Sequence, residues 1–307
     1  MRMTLRQLAV FVAVAREGTV TRASESVQLT QSAASMALSD LESALGQPLF
    51  DRLGKRLQLN DLGRHLLPEA LDILGRCEAL EQTARGGRQP IDLRLGSTLT
   101  LADYLMPDLI AGFLHHHPQA QISLQVANTR QIIEAVSQFQ LDVGLIEGSC
   151  TLPQLHCEPW HNDELAVCCA PDHPLALRGR PLTVQDFEGV DWIAREIGSG
   201  TREVFDRAIL HDLPHAHLRM TLGHNATVLK VVASGLGLGC VSRLAIESML
   251  HSGQLVILDT PFWTLTRPFY LLTHRQKYPS PGLRTFLEFC RTQDQHSRAD
   301  ASGTATA

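Results

Sequence analysis

At 307 residues, 44% hydrophobic and 19% charged, the chain is long enough for two or more folded units, and both a disulfide-stapled miniprotein and a disordered chain are excluded. The net charge of −5 argues against nucleic-acid binding by the whole surface, yet residues 1–64 hold eight Lys/Arg against six Asp/Glu, a net +2 that leaves −7 elsewhere. No run approaches the ~18 apolar residues of a spanning helix and the first residues form no signal-peptide core, so a cytoplasmic chain with no membrane partner is expected.

Apolar residues recur at helical spacing three times near the N-terminus: Leu5, Leu8, Phe11, Val12 and Ala15; Ala23 and Val27; Ala34, Leu38, Leu41 and Leu45. Three short helices are predicted, broken at Gly18-Thr19, at Gln28-Leu29-Thr30 and at Gly46-Gln47-Pro48, with Thr19 or Thr21 and Thr30 as caps. The tight joint between the second and third is that of a helix-turn-helix over about Val20 to Ser39, whose second helix offers its first residues to the major groove. Gln31 and Ser32 open that helix and Ser35 follows one turn on, with amide and hydroxyl groups suited to base edges or phosphates. Next, residues 49–59 read as a β wing, its glycine turn surrounded by Arg52, Lys55 and Arg56, which suit phosphate or minor-groove contacts. The competing reading makes these the capping and surface residues of an ordinary helical bundle with a solvated charged turn.

Asn60-Asp61 caps a long helix with an apolar seam at Leu62, Leu66, Ala70, Ile73, Cys77, Leu80 and Ala84. Pro68 lies near enough to its start for the rest to continue, and 85–90, with Gly86-Gly87, form a stop and a linker. The seam fits a dimer coiled coil or packing on the rest of the chain; the linker favours pairing, which calls for paired DNA half-sites.

Beyond residue 90 strands and helices alternate: strand 91–96, helix 99–117, strand 121–126, helix 129–139, strand 141–146. A second block has strands near 164–169, 192–193 and 218–221 and helices near 201–210 and 226–234; the chain returns through strand 268–273 and helix 281–291, leaving 296–307 as a disordered tail. Three strand-to-helix junctions stand out: Ser97-Thr98 with Thr100 nearby, Asn128-Thr129, and Ser199-Gly200-Thr201. Each offers free N–H groups, a positive helix end and a neutral donor, suited to a small oxyanion, although the same hydroxyls commonly serve only as caps. Arg202 adds charge or pairs with Glu203 or Glu196, and Asn225, with His224, opens a further helix on the crevice. Glu147 repels an anion unless it is paired, and would otherwise suit an amine such as that of O-acetylserine.

The seven cysteines, at 77, 150, 157, 168, 169, 240 and 290, form no C-x-x-C and are odd in number, so reduced thiols are expected, and neither metal nor cofactor is assigned. The run His115-His116-His117 reads as a helix end before Pro118. No nucleophile elbow or phosphate loop is present, so the chain reads as a non-enzyme. Two alternatives remain: a thiol-redox regulator using Cys150 with Cys157 or Cys168 with Cys169, and, more remotely, an enzyme using Cys150 or Cys168 with a histidine.

Taken in order, Leu5-Arg6-Gln7-Leu8, Thr21-Arg22-Ala23-Ser24, Leu29-Thr30-Gln31-Ser32-Ala33, Leu41-Glu42-Ser43-Ala44-Leu45-Gly46, Pro48-Leu49-Phe50-Asp51-Arg52 and Leu62-Gly63 resemble the LysR-type family of bacterial transcription regulators. The resemblance covers nearly the whole chain and implies an α/β protein with an all-α-plus-wing N-terminal domain. Its parts would be a winged helix-turn-helix over 1–60, a dimerising linker helix over 61–88 and a two-lobed, periplasmic-binding-protein-like effector domain over 91–295. Lobe I would take about 91–162 and 267–295, and lobe II about 163–266. It further implies double-stranded promoter DNA, contacted also by Thr21, Arg22 and Thr30, a homodimer or homotetramer, and a small-molecule coinducer. Leu95-Gly96-Ser97-Thr98, Ala127-Asn128-Thr129, Gly144-Leu145-Ile146-Glu147-Gly148 and Gly198-Ser199-Gly200-Thr201-Arg202 resemble the sulfur-assimilation and cysteine-biosynthesis branch with its sulfite-responsive members, implying a sulfur oxyanion such as sulfite or sulfate. Two departures stand out: Ser35-Met36-Ala37-Leu38-Ser39-Asp40 carries no cation, and Asn60-Asp61 stands where the family often has Thr-Pro.

Overall fold

The protein is described by a computed structural model covering residues 3–53, 56–85 and 91–303. It divides into two units, Met1–Ile91 with His274–Arg284, and Asp92–Thr273 with Thr285–Ala307.

In the first unit, α1 (Leu5–Glu17), α2 (Val20–Ser26) and α3 (Gln31–Leu45) bury Leu8, Phe11, Ala23, Ala34, Leu38 and Leu41 against one another. Helix ends follow from local chemistry: Thr19 caps α2, Thr30 caps α3 by accepting from the Ala33 N–H at 3.2 Å, and Gly18 ends α1 in the left-handed region. The turn between α2 and α3 is closed by Leu29 N–H donating to the Ser24 carbonyl at 2.9 Å. Strands β1 (Phe50–Leu53) and β2 (Arg56–Leu59) pair antiparallel as the wing, and Leu57 N–H donates to the Gly18 carbonyl at 2.8 Å, docking the wing on the end of α1. The Phe50 ring meets Phe11 edge-on at 5.7 Å. Asn60 caps α4 (Asp61–Arg85), its Oδ1 accepting from Gly63 N–H at 2.8 Å. Gly63 is fixed by crowding, since a Cβ there would stand 2.2 Å from the Leu49 carbonyl oxygen.

The second unit carries β3 (Asp92–Ser97), α5 (Leu99–Tyr104), α6 (Met106–His116), β4 (Gln121–Val126), α7 (Thr129–Ser137) and β5 (Val143–Glu147), then the long strand β6 (Leu155–Cys169). There follow β7 (Asp191–Arg195), α8 (Gly200–Phe205), β8 (His217–Leu222), α9 (Asn225–Ala233), β9 (Leu238–Ser242), α10 (Arg243–His251), β10 (Val256–Ile257), β11 (Thr266–His274) and α11 (Pro281–Gly303). A π-helical turn over Asp206–Leu210 continues α8. The sheet order is β4-β3-β5-β11-β6-β9-β7-β8, with β10 on β6. Parallel β3, β4 and β5 make one lobe and parallel β7, β8 and β9 the other, while β6 and β11 run between them. The cores are separate: Ile132, Val136, Leu141 and Leu272 in the first lobe, and Trp192, Phe187, Phe205 and Trp263, with Val228, Val232 and Ile246 on the other sheet face, in the second.

Several predicted elements differ from those observed. The single helix over 99–117 is two, because Pro107 lacks the N–H that would continue α5 into α6. Strand β6 begins nine residues before the expected 164, since its first half alternates rather than running apolar. β9, α10 and β10 were not anticipated. Helix α11 runs to Gly303, through residues 296–303 expected as tail; Arg298, Ala299 and Ala301 there are good helix formers, and 304–307 lie outside the described residues. The linker glycines Gly86 and Gly87 also lie outside them.

Candidate functional site

Two sites are built by these elements, one in each unit. In the first, α3 presents Gln31, Ser32 and Ser35 to solvent, with Thr21 and Arg22 on α2 and Arg52 and Arg56 on the wing likewise exposed. Thr21, Gln31, Ser35 and Arg52 border one groove of about 740 Å³ between α2, α3 and the wing. Thr30 is committed to its cap and touches the Ser32 hydroxyl at 3.1 Å; Lys55 lies outside the described residues.

In the second unit, β3, β4, β5 and β7 all deliver their carboxyl ends to the seam between the lobes. The lobes meet there directly: Asn225 Nδ2 donates to Thr100 Oγ1 at 3.1 Å, Arg130 N–H to the Gly198 carbonyl at 3.2 Å, and Ser149 Oγ to Glu203 Oε1 at 2.7 Å. Gly200 lets α8 approach β5, since a Cβ would fall 2.3 Å from the Glu147 carbonyl oxygen. A groove of about 780 Å³, bordered by Thr129, Arg130, Ser149, Ile197, Ser199 and Arg202, opens between α7 and α8.

At the centre of the seam sits Arg267, 2% exposed. Its Nε donates to Asp163 Oδ2 at 2.8 Å, its Nη1 to Thr201 Oγ1 at 2.9 Å and its Nη2 to Thr100 Oγ1 at 3.3 Å. Asp163 is completed by the Ser242 hydroxyl at 2.7 Å. A second buried guanidinium, Arg195 at the end of β7, bonds Asn225 and pairs with Glu196 at 2.8 Å. Thus one chain of contacts links Arg195, Asn225, Thr100, Arg267 and Asp163, an arrangement that the low interior dielectric strengthens when every member is satisfied.

Two buried atoms in this region are not satisfied. Thr98 Oγ1 has no hydrogen-bond partner, and although Thr98 is the residue before α5 its side chain makes no cap. Glu147 Oε2 lies 2.6 Å from Arg267 Nη2, an ion pair, yet accepts no directed hydrogen bond. Thr100 and Thr201 act only as acceptors in the bonds above, so the O–H of each remains available to donate.

The other junction residues have local duties. Asn128 Oδ1 accepts from Gln131 N–H at 3.0 Å and Ser199 Oγ from Arg202 N–H at 3.1 Å, so both are caps. Thr129 Oγ1 donates to the Glu147 carbonyl at 2.7 Å and Ser97 Oγ to the Thr98 carbonyl at 3.1 Å. Arg202 pairs with neither Glu203 nor Glu196 but with Asp206 at 2.6 Å, one helical turn on, and also donates to the Arg195 carbonyl. The anticipated repulsion from Glu147 is met by its pairing with Arg267.

Arg195, Arg267 and Asp163 were not singled out from the sequence. Each is a charged residue on a strand that carries buried apolar residues, a signal that calls for a buried partner but does not name it.

The surroundings of Cys168 and Cys169 disfavour a thiol switch. As neighbours on β6 they point to opposite faces, into different cores, and burial pushes the Cys169 thiol up to about 11 and Cys168 further. Cys157 Sγ lies 3.6 Å from the Cys150 carbonyl, and both side chains are half-buried. Among the described residues no helix is long and apolar enough to cross a membrane.

The chain matches two family models: the bacterial regulatory helix-turn-helix protein of the lysR family over residues 5–64, and the LysR substrate binding domain over 88–295. It is 43% identical over 290 residues to the HTH-type transcriptional regulator YeiE of Escherichia coli, covering 94% of this chain and 98% of that protein. Full-length OxyR from Pseudomonas aeruginosa superposes with a TM-score of 0.76 at 21% identity, over 96% of this chain and 95% of that one. The regulatory domain of Synechocystis CcmR, solved in complex with 2-PG, matches 66% of this chain and 97% of its own length at 26% identity and a TM-score of 0.60. The chain therefore belongs to the LysR family of DNA-binding transcriptional regulators, a non-enzymatic family that joins a helix-turn-helix to a ligand-binding effector domain.

Proposed function

We propose that the effector domain senses a small oxyanion, a sulfur oxyanion such as sulfite or sulfate being the best fit, and that its occupancy resets the grip of a cytoplasmic homodimer or homotetramer on promoter DNA. The observation that carries the ligand reading is the Thr98 hydroxyl, 1% exposed and without a partner, two residues from the Thr100 hydroxyl that binds Arg267. A buried hydroxyl left unpaired costs about 1–3 kcal/mol, a cost that an oxyanion accepting from it would relieve. Thr100 and Thr201 supply further O–H donors beside Arg267, whose charge is already shared by Asp163 and Glu147. CcmR, on the same fold, holds 2-PG in its regulatory domain, which supports small-molecule control here. In this reading Gln31, Ser32 and Ser35 meet the bases, Thr21, Arg22, Arg52, Lys55 and Arg56 meet the phosphates, and Thr30 shapes the helix that carries them.

The test is calorimetric titration of the full-length chain with sulfite, sulfate, thiosulfate, phosphate and O-acetylserine, beside Thr98→Val. One sulfur oxyanion should bind the wild type and bind the variant at least about tenfold more weakly, with the variant's folding stability within about 1 kcal/mol of wild type or above it. No heat from any sulfur oxyanion, or equal binding by the variant, contradicts the reading.

A further inference from the structure

We infer that Met36 on α3 sets base preference by packing on the methyl group of a thymine in the major groove. The inference rests on the reading above that α3 meets the bases, and goes beyond it in naming a further residue and the base it selects.

Among the described residues of 5–64, Met36 is the most exposed large apolar side chain, at 62%, against 45% for Leu5 and 39% for Leu45. Leu5 and Leu45 lie at the ends of their helices, whereas Met36 stands in the second turn of α3, on the face opposite the buried Ala34, Leu38 and Leu41. Ser32 and Asp40, one turn to either side, share its exposed row; Gln31, Ser35 and Ser39 form the next row, along the groove beside the wing. Single apolar residues on a surface are ordinary, but this one crowns the recognition helix of a helix-turn-helix.

The polar groups around it are few. α3 has no Lys or Arg from Gln31 to Leu45, and the Ser32 hydroxyl is in contact with Thr30 Oγ1, the capping atom, at 3.1 Å. Asp40 is repelled by phosphates, so this row gains little from the DNA backbone and has base edges left to it. In the major groove those edges offer one apolar group, the C5-methyl of thymine. The other edge atoms include hydrogen-bond donors and acceptors, which a thioether covers without pairing. Met36 therefore favours thymine twice over, by burying its methyl and by penalising the alternatives. Its unbranched chain and polarisable sulfur adapt to a methyl without a fixed geometry.

The test is fluorescence anisotropy of the full-length wild type, Met36→Ala and Gln31→Ala on a duplex that the wild type selects from a random pool. Each is also measured on the same duplex with deoxyuridine in place of every thymine, an exchange that removes only the methyl groups. Burial of one methyl corresponds to about fourfold in affinity, so the wild type should bind the uracil duplex at least about fourfold more weakly. Met36→Ala should bind the thymine duplex about as weakly as the wild type binds the uracil one, and lose less than about twofold on the exchange. Its salt slope and thermal unfolding should match the wild type, since neither a phosphate contact nor a core contact is removed. Equal wild-type binding to the two duplexes, or a Met36→Ala variant that loses as much as the wild type on the exchange, overturns the inference. If Gln31→Ala still weakens binding, the reading of α3 stands without it. Unchanged affinity in both variants takes α3 out of the groove and overturns both.

Discussion

Arg267 holds two buried carboxylates at once, and either would be isolated without it. Arg267→Met keeps much of the volume but leaves Asp163 and Glu147 uncompensated, so the effector domain should lose about 3–5 kcal/mol in urea unfolding. A variant as stable as wild type would show that the ion pairs have little energetic part in the fold. The partners of Arg267 lie 66 to 167 residues away in the chain, which is why local pattern did not reveal it. Thr98 was legible as a strand-to-helix junction residue, like Asn128 and Ser199. What could not be read was the division of labour, since two of the three spend their side chains on capping and only Thr98 keeps its hydroxyl free.

Among the elements, the winged helix-turn-helix was the most readable because its signals are local: caps at Thr19 and Thr30, glycine stops at Gly18 and Gly46, and a helical apolar spacing. The helix α3 nevertheless carries no cation on Ser35–Asp40, so on the proposed reading the wing supplies much of the phosphate contact. Arg52→Ala should weaken binding about equally on different DNA sequences and reduce the slope of log affinity against log salt by about one. An unchanged slope would remove Arg52 from the interface. On α4, Leu80 is 72% exposed although it falls on the apolar seam, a placement that favours pairing with a second copy. Leu80→Asp should lower the mass seen in sedimentation toward the monomer while helix content holds; an unchanged mass would place the interface elsewhere. Element ends were lost wherever a single residue overrode the period, as Pro107 does between α5 and α6.

For the molecule as a whole, the two lobes share one sheet through β6 and β11, and their opposed faces meet over a polar seam rather than an apolar one. An apolar seam would favour one closed arrangement whatever the ligand. On the proposed reading, a seam with an unpaired hydroxyl at Thr98 would give an oxyanion a differential affinity for the lobe arrangement that completes it, and that difference is all a ligand has with which to shift an equilibrium. The acidic body and mildly basic N-terminal segment, visible in the charge division, fit a protein that meets DNA through that segment alone. The pairing of the lobes themselves was beyond local pattern, because β9, α10 and the first half of β6 carry no turn or period signal strong enough to place them.

The most direct test of ligand-controlled DNA binding is fluorescence anisotropy of the full-length protein on a duplex selected by it from a random pool, with and without sulfite, for wild type and Thr98→Val. Sulfite should shift the DNA Kd of the wild type by fivefold or more and leave that of the variant in place, a coupling of about 1 kcal/mol or more. Equal DNA affinity with and without sulfite in the wild type, at sulfite concentrations that saturate in calorimetry, would contradict the account.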